Sequence, residues 1–194
     1  MKGKIFNAQE VQAIIAGTKT MFREVIKPQP IQLEGFSDVY FDCYSKGNPW
    51  NWYTKGNKQP LGTIAKCPYQ VGQKIFCKER FFVSNYIELR YEANLSIDEK
   101  YYWLPAIKMK REHSRLTLEI TDVKVERLQS ISQEDCAKEG IPHAMWQANG
   151  RFFSAPGEPI EIGFAGNWNA THKKPEEKFE VNPFVWVVDF KINK

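Results

Sequence analysis

The spacing of apolar residues near the start of the chain predicts an amphipathic helix. Three of them recur on one helical face: Val11, Ile14 and Ile15. Asn7 precedes them with Glu10 three residues later, which is the pattern of a capping box. Gly17 suits the left-handed position just past a helix end. We therefore expect a helix that stops at Gly17 and leaves a basic turn, Gly-Thr-Lys-Thr (17–20), at its end.

Strict alternation of apolar and polar residues predicts strands in the second half of the chain. Leu116, Leu118 and Ile120 alternate with polar neighbours, and Val123 and Val125 continue in a new phase. Three segments are expected to form the central strands of a sheet: 74–82, 115–128 and 185–192. Weaker strands are expected at 39–44, 52–55 and 87–93, and a short helix near 164–170.

A second capped helix carries an acidic residue at an unfavourable place. Ser132 is a predicted N-cap with Asp135 three residues on, and Gly140 is the predicted stop. Glu139 then lies in the last turn, where the helix dipole disfavours an anion by about 0.3–1 kcal/mol. Either Glu139 faces water, alone or beside Lys138, or nearby cations hold it in place.

The order of these elements favours an α+β fold. We expect a mixed, mostly antiparallel β-barrel decorated by short helices, with long loops near 31–65 and 142–163. The 194 residues are expected to form a single domain over 1–194.

Composition narrows the function only modestly. Lys and Arg number 27 against 23 Asp and Glu, a net charge of +4, which permits a polyanionic partner without requiring one. No apolar run is long enough to span a membrane and no signal peptide is recognisable, so we expect a cytoplasmic protein without a membrane partner. The four cysteines contain no CxxC and the three histidines lack ligand spacing, so neither a metal nor another cofactor is expected.

Adjacent charges within the predicted strand 74–82 form a second candidate cluster. Side chains alternate across a strand, so Lys78 and Glu79 cannot both point to the same side. The inward one needs a partner, because a lone buried charge is costly.

Several segments, in order along the chain, resemble the ASCH-domain family of the PUA-like superfamily, in the form carried by phages and prophages. The matching stretches are 11–20 with Arg23 and 27–30, 67–69 with 72–76 and 78–79, 103–106 with Met109, Arg111 and 114–118, 127–135 with 139–141, 168–169, and 182–187.

The resemblance implies a barrel with one cleft between the Lys-Thr segment and the Glu-Gly helix end. PUA-like domains generally bind RNA or modified nucleic acids, and some ASCH-like members hydrolyse N4-acylated cytidines with a lysine, a threonine and a glutamate. Lys19 and Glu139 match the lysine and the glutamate, but Phe22 stands where the nucleophilic threonine belongs. A phenylalanine has no hydroxyl for a lysine to activate, so hydrolysis is disfavoured. Thr18 in place of the family's arginine and Glu112 in place of an aromatic are further departures.

Three functions follow as hypotheses, and the oligomeric state stays open. The first is a module that binds nucleic acid, a nucleoside or a nucleotide, and its candidate ligand-binding residues are Lys19, Thr20, Arg23, Lys78, Glu79, Trp103, Arg115 and Glu139. Trp50 and Trp52 are further candidates for stacking on a base. The second is an amidohydrolase on N4-acylated cytidine nucleosides, with Lys19, Thr20 and Glu139 as its catalytic set. In it, either Thr20 or a water activated by Lys19 replaces the missing threonine. The third is a phage factor that binds a host protein.

Overall fold

A computed structural model describes residues 1–29, 39–43, 50–54, 64–65, 67–83, 89–94, 103–141 and 160–193. In these ranges the strands are β1 (Lys2–Ile5), β2 (Met21–Val25), β3 (Val39–Cys43), β4 (Trp50–Thr54), β5 (Ile64–Ala65), β6 (Lys74–Lys78), β7 (Phe81–Val83), β8 (Leu89–Tyr91), β9 (Thr117–Arg127) and β10 (Phe184–Ile192). The α-helices are α1 (Ala8–Ile15), α2 (Gln133–Lys138) and α3 (Ile160–Thr171). Short 3₁₀ turns lie at Glu92–Asn94, Ala106–Lys108, Arg111–His113, Leu128–Ser130, Pro175–Glu177 and Phe179–Val181. The fold is therefore mixed α+β.

The largest sheet has the strand order β1-β6-β9-β10-β2. Its β1–β6 pair is parallel, and the other three pairs are antiparallel. The interior strands β6, β9 and β10 lie in the three segments predicted to be central, so that prediction is confirmed. Smaller antiparallel sheets join β3, β4 and β5, and β7 with β8.

The change of alternation within β9 is a β-bulge. Asp189 of β10 pairs with Asp122, whereas the next residue, Phe190, pairs with Ile120. Thr121 is therefore the extra residue, and it switches the side chains that follow to the other face. The phase change between Ile120 and Val123 in the sequence has this physical origin.

Two predicted boundaries are wrong. The single strand 74–82 is broken after Lys78. Phe81 pairs with Tyr91 of β8 in another sheet, and at the break Glu79 is buried and pairs with Arg115. Helix α3 begins at 160, inside the predicted loop 142–163, and extends past the predicted helix 164–170. The remainder of that loop, 142–159, and most of 31–65 lie outside the described residues.

The two edge strands of the large sheet, β1 and β2, approach each other through side chains. Lys4 Nζ on β1 lies 2.6 Å from Glu24 Oε2 on β2, and the rings of Phe6 and Phe22 meet edge to face at 6.0 Å. Within the described ranges no ladder joins β1 to β2, so strand pairing does not close this sheet into a barrel.

Apolar side chains cover both faces of the sheet. In β2, Phe22 packs into a core with α1, whereas Met21 and Val25 pack into a second core with α2 and α3. Arg23 shares the second face and is buried with them. Among the described residues, no helix reaches the length and hydrophobicity that a membrane span requires.

Candidate functional site

Lys19 is held at the end of α1 by the predicted caps. Asn7 and Glu10 form the capping box at its start, and Gly17 takes the left-handed conformation (φ 76°) after its end. The backbone N–H groups of Thr18 and Lys19 then both donate to the carbonyl of Ala13, which turns the chain sharply back. The result is a Lys19 side chain that is only 3% exposed.

The ammonium of Lys19 meets Glu139. Its Nζ donates to the carboxylate Oε2 of Glu139 at 2.9 Å and to the main-chain carbonyl of the same residue at 2.8 Å. Glu10 Oε1 lies 3.6 Å away on the third side. These contacts match the three N–H donors of an ammonium group. Of the two alternatives left open for Glu139, the structure shows the one in which nearby cations hold it, and Lys138 pairs instead with Glu134.

Gly140 makes this approach possible. Its φ of 79° is left-handed, and a Cβ placed on it would lie 3.2 Å from Cβ of Lys19 and 3.3 Å from Cβ of Ala13. Glycine is thus required at position 140 by conformation and by space.

Ser132 caps the start of α2 as predicted, through the backbone N–H of Asp135.

Arg23 completes a buried ion network. Its side chain is 0% exposed, its Nη1 lies 3.1 Å from Glu139 Oε1, and its Nη2 lies 2.8 Å from Asp135 Oδ2 and 3.4 Å from Glu126 Oε2. Lys124 extends the network at the surface, 2.7 Å from Glu126. We call the set Lys19, Arg23, Asp135 and Glu139 the buried ion network.

Such a network is an inefficient way to stabilise a core. Two ions that leave water lose hydration energy that their mutual attraction only partly returns, and apolar replacements are often neutral or stabilising. The network is therefore the first candidate for a functional site.

The network forms part of the wall of a groove of about 950 Å³ that runs along the opening between β1 and β2. Helix α1, the end of α2 and one side of α3 complete its walls. The aromatic lining consists of Phe6, Phe22, Phe164, Trp168, His172 and Trp186, and amide side chains come from Asn7, Gln9 and Asn167. The groove has the size and the mixed apolar and polar lining of a small-molecule site.

Among the described residues that line the groove, every lysine and arginine is paired with a carboxylate. Besides Lys19 and Arg23, Lys4 lies 2.6 Å from Glu24, and Lys27 Nζ lies 2.5 Å from Glu177. Four cations in the lining therefore face four glutamates: Glu10, Glu24, Glu139 and Glu177. The described part of the groove is close to neutral overall.

His172 also lines the groove. Its ring stacks on Trp168 with centroids 3.7 Å apart, and Nδ1 lies 3.1 Å from the carbonyl of Trp168. Burial lowers the pKa of His172 and outweighs that contact, so the ring is neutral at pH 7. Nδ1 then carries the proton and Nε2 is an acceptor.

The other predicted site residues lie outside this lining. Glu79 is buried and bound at both oxygens by Arg115, Nε to Oε1 at 2.9 Å and Nη2 to Oε2 at 2.8 Å. This confirms that the inward charge of the Lys78-Glu79 pair needs a partner. Lys78 donates to the carbonyl of Ile107, and the half-buried Trp103 does not line the groove either.

Thr20 is placed by its backbone rather than its hydroxyl. Its N–H donates to the carbonyl of Lys138, and its carbonyl accepts from Phe190. Of the predicted set Lys19, Thr20 and Glu139, the first and the last line the groove, and Thr20 is not among the described residues of the lining. The side chains of Trp50 and Trp52 lie outside the described residues.

Sequence reasoning missed one member of the buried ion network and several residues of the groove lining. Asp135 was recognised only as a capping position, and Lys4, Glu24 and the aromatic side of α3 were not singled out. The alternation of β2 could have shown that Glu24 lies on the face opposite Arg23, but only the strand order brings Lys4 beside it.

Comparisons of the chain with protein-family models, with curated proteins and with solved structures gave no match.

Proposed function

We propose that the groove binds a nucleoside, or the base of a modified nucleotide, and that the protein is an ASCH-like, PUA-like binding module. The observation that carries this proposal is the neutral groove in which each cation already has a carboxylate partner.

Paired cations argue against a phosphate backbone as the main ligand. A phosphate would have to compete with Glu139 for Lys19 and Arg23, which are 3% and 0% exposed. Lys4 and Lys27 are likewise engaged. A neutral ligand with several donors and acceptors avoids this competition, and a nucleoside is such a ligand. This narrows the sequence-based hypothesis, which included nucleic acids.

The lining suits a base in other respects. Of the aromatic rings in the lining, His172 is partly exposed, whereas the other five are at most 5% exposed and form the apolar floor of the groove. A base can stack on an exposed ring face, with about 1–3 kcal/mol per stacked base in known cases. Amide and imidazole groups beside them supply donors and acceptors for its edges. His172, whose other ring face already stacks on Trp168, is the most direct candidate.

The resemblance to the ASCH family supports the same location. The family's lysine and glutamate correspond to Lys19 and Glu139, whose side chains meet in this groove. A PUA-like barrel is the corresponding fold proposal, and the side-chain contacts across the opening between β1 and β2 are consistent with a sheet curled toward closure.

Binding without hydrolysis is the form of the proposal that fits the site. Phe22 has no nucleophilic hydroxyl and is 3% exposed, with ring contacts to Phe6, Tyr69 and Phe190. It is a core residue, so the role of the missing threonine is not supplied at that position.

A thermal-shift screen tests the proposal. Purified protein is heated with a panel of nucleosides, nucleotides and short oligonucleotides at 50 and 300 mM NaCl. A ligand at a hundredfold excess over its Kd raises the free energy of unfolding by about 2.7 kcal/mol. We expect nucleosides to raise Tm at both salt concentrations. Binding only by oligonucleotides, with a steep loss of affinity at high salt, would contradict the neutral-ligand proposal, because counterion release marks phosphate contacts.

Two glutamine variants make a matched pair for this screen. Glu139→Gln removes a buried carboxylate from the groove, and Glu79→Gln removes an equally buried, arginine-bound carboxylate outside it. We expect ligand-induced stabilisation to be lost in Glu139→Gln and kept in Glu79→Gln. Equal effects of the two variants would mean that the groove is not the binding site.

A further inference from the structure

The four groove carboxylates differ in how much of their hydrogen-bonding capacity is free. Glu139 is bound at both oxygens and its side chain is 8% exposed. Glu177 is 10% exposed and paired with Lys27. Glu10 uses Oε2 to cap α1, and its Oε1 faces Lys19. Lys27 reaches only Oε1 of Glu177, but that side chain is largely buried. The side chain of Glu10 is 35% exposed, and each of its oxygens faces a backbone donor or a cation.

Glu24 is different. Both of its donors, Lys4 Nζ and the hydroxyl of Tyr69, reach the same oxygen, Oε2, each at 2.6 Å. No donor among the described residues contacts its Oε1, and its side chain is 36% exposed in the groove lining. Glu24 therefore has one oxygen that fixes its position and a second that is available.

We propose that Glu24 is the specificity-determining acceptor of the groove and that its Oε1 accepts a hydrogen bond from the exocyclic amino group of a base such as cytosine or adenine. This inference rests on the proposed nucleoside-binding function and assigns it a substrate class. A carboxylate is the usual protein acceptor for the cytosine amino group. The buried ion network then forms part of the groove wall, and Glu24 selects the ligand by accepting this hydrogen bond.

The surroundings keep Glu24 in the form that this role requires. Burial alone would raise its pKa, but the charge of Lys4 and the hydrogen bonds from Lys4 and Tyr69 outweigh it and hold the pKa below its ordinary value. Glu24 is therefore an ionised, acceptor-only group at neutral pH. Tyr69 and Lys4 also restrict its rotation, since one lies in the core and the other on the facing edge strand.

Calorimetric titration with nucleosides that differ only in the amino group tests the inference. The pairs are cytidine with pyrimidin-2-one riboside, and adenosine with purine riboside. For the unchanged protein we expect at least one amino compound to bind about 10-fold to 100-fold more tightly than its partner, the range that a hydrogen bond to a charged acceptor supplies. Glu24→Gln should reduce this preference to less than about threefold, because the neutral amide oxygen is a weaker acceptor.

Glu92→Gln is the matched control. Glu92 is another partly exposed carboxylate, 30% exposed and 2.6 Å from Arg80, and it does not line the groove. It should leave the preference unchanged. Equal affinity for both members of each pair would overturn the assignment of Glu24 while leaving the proposed function intact. Absence of binding by all four nucleosides would overturn the proposed function and the inference with it. A preference that persists in Glu24→Gln would place the acceptor elsewhere.

Discussion

Glu139→Gln is expected to destabilise the protein strongly, although it replaces only one carboxylate oxygen with an NH₂ group. The carboxylate has one oxygen facing Lys19 at 2.9 Å and the other facing Arg23 at 3.1 Å, with 8% of the side chain exposed. Glutamine offers one oxygen and one NH₂ group, so one of the two cations then faces a donor. The other cation keeps a neutral acceptor in place of a charged one.

The magnitude follows from burial. Removing one partner from a buried ion pair costs about 3–5 kcal/mol, and we expect about 3 kcal/mol here because Arg23 keeps Asp135 at 2.8 Å. For a chain of this size that corresponds to a fall in Tm of roughly 6–12 °C. Urea unfolding followed by tryptophan fluorescence gives the free energy of unfolding directly.

A second substitution distinguishes the loss of charge pairing between positions 19 and 139 from a nonspecific loss of stability. Lys19→Met in the Glu139→Gln background removes a cation that would otherwise stay buried and poorly paired, so the double variant should be more stable than the sum of the single effects predicts. A coupling of about 1 kcal/mol or more is expected for residues in one network. A free energy of unfolding for Glu139→Gln within about 0.5 kcal/mol of the unchanged protein, the range of neutral surface substitutions, would refute the reasoning.

Three further outcomes are expected. Phe22→Thr should cost about 3–5 kcal/mol by leaving a cavity in the core, and neither it nor the natural protein should release cytidine from N4-acetylcytidine in a chromatographic assay. Gly140→Ala should cost more than Gly17→Ala, since both have positive φ but only position 140 contacts Lys19; urea unfolding of the two variants measures the difference. Stability should fall as pH drops below about 6.5, because burial lowers the folded-state pKa of His172 and the unfolded chain takes up that proton first. His172→Gln should remove this part of the slope in thermal melts.

Contrary results are equally specific. Turnover by the natural protein that is abolished by Lys19→Ala would establish a hydrolase despite Phe22. Equal losses of unfolding free energy in Gly140→Ala and Gly17→Ala would show that the close approach to Lys19 does not destabilise the first variant further. An unchanged pH slope in His172→Gln would assign that slope to another group.

The parts of the fold that could be predicted are those set by local physics. The capping box at Asn7 and the left-handed glycines after α1 and α2 are determined within a few residues of chain. The bulge at Thr121 could be recognised in the sequence because the alternation of apolar and polar residues changes phase there. The interior strands could be recognised because two-sided burial leaves nearly continuous apolar sequence, as in β10.

The composition of the groove could not be predicted in the same way. Lys4 and Glu24 meet only because the first and last strands of the sheet order approach each other, which depends on long-range pairing. Glu79 looked like a site residue because a buried charge is expensive, yet Arg115 satisfies it outside the groove. Glu139 was singled out because a helix end disfavours an anion, and the two cations that hold it, Lys19 and Arg23, lie more than a hundred residues away in the sequence.

The most direct test of the central claim is to locate the ligand with the indole N–H signals of the tryptophans in a ¹H–¹⁵N spectrum. Trp168 and Trp186 line the groove, whereas Trp103 does not. Each signal is assigned by a single Trp→Phe substitution, and cytidine and adenosine are then titrated into the labelled protein. If the ligand binds in the groove, the indole N–H chemical shifts of Trp168 and Trp186 change and reach saturation, and the shift of Trp103 stays constant. Saturable shifts confined to Trp103 or to the tryptophans at positions 50 and 52, with Trp168 and Trp186 unmoved, would contradict this prediction.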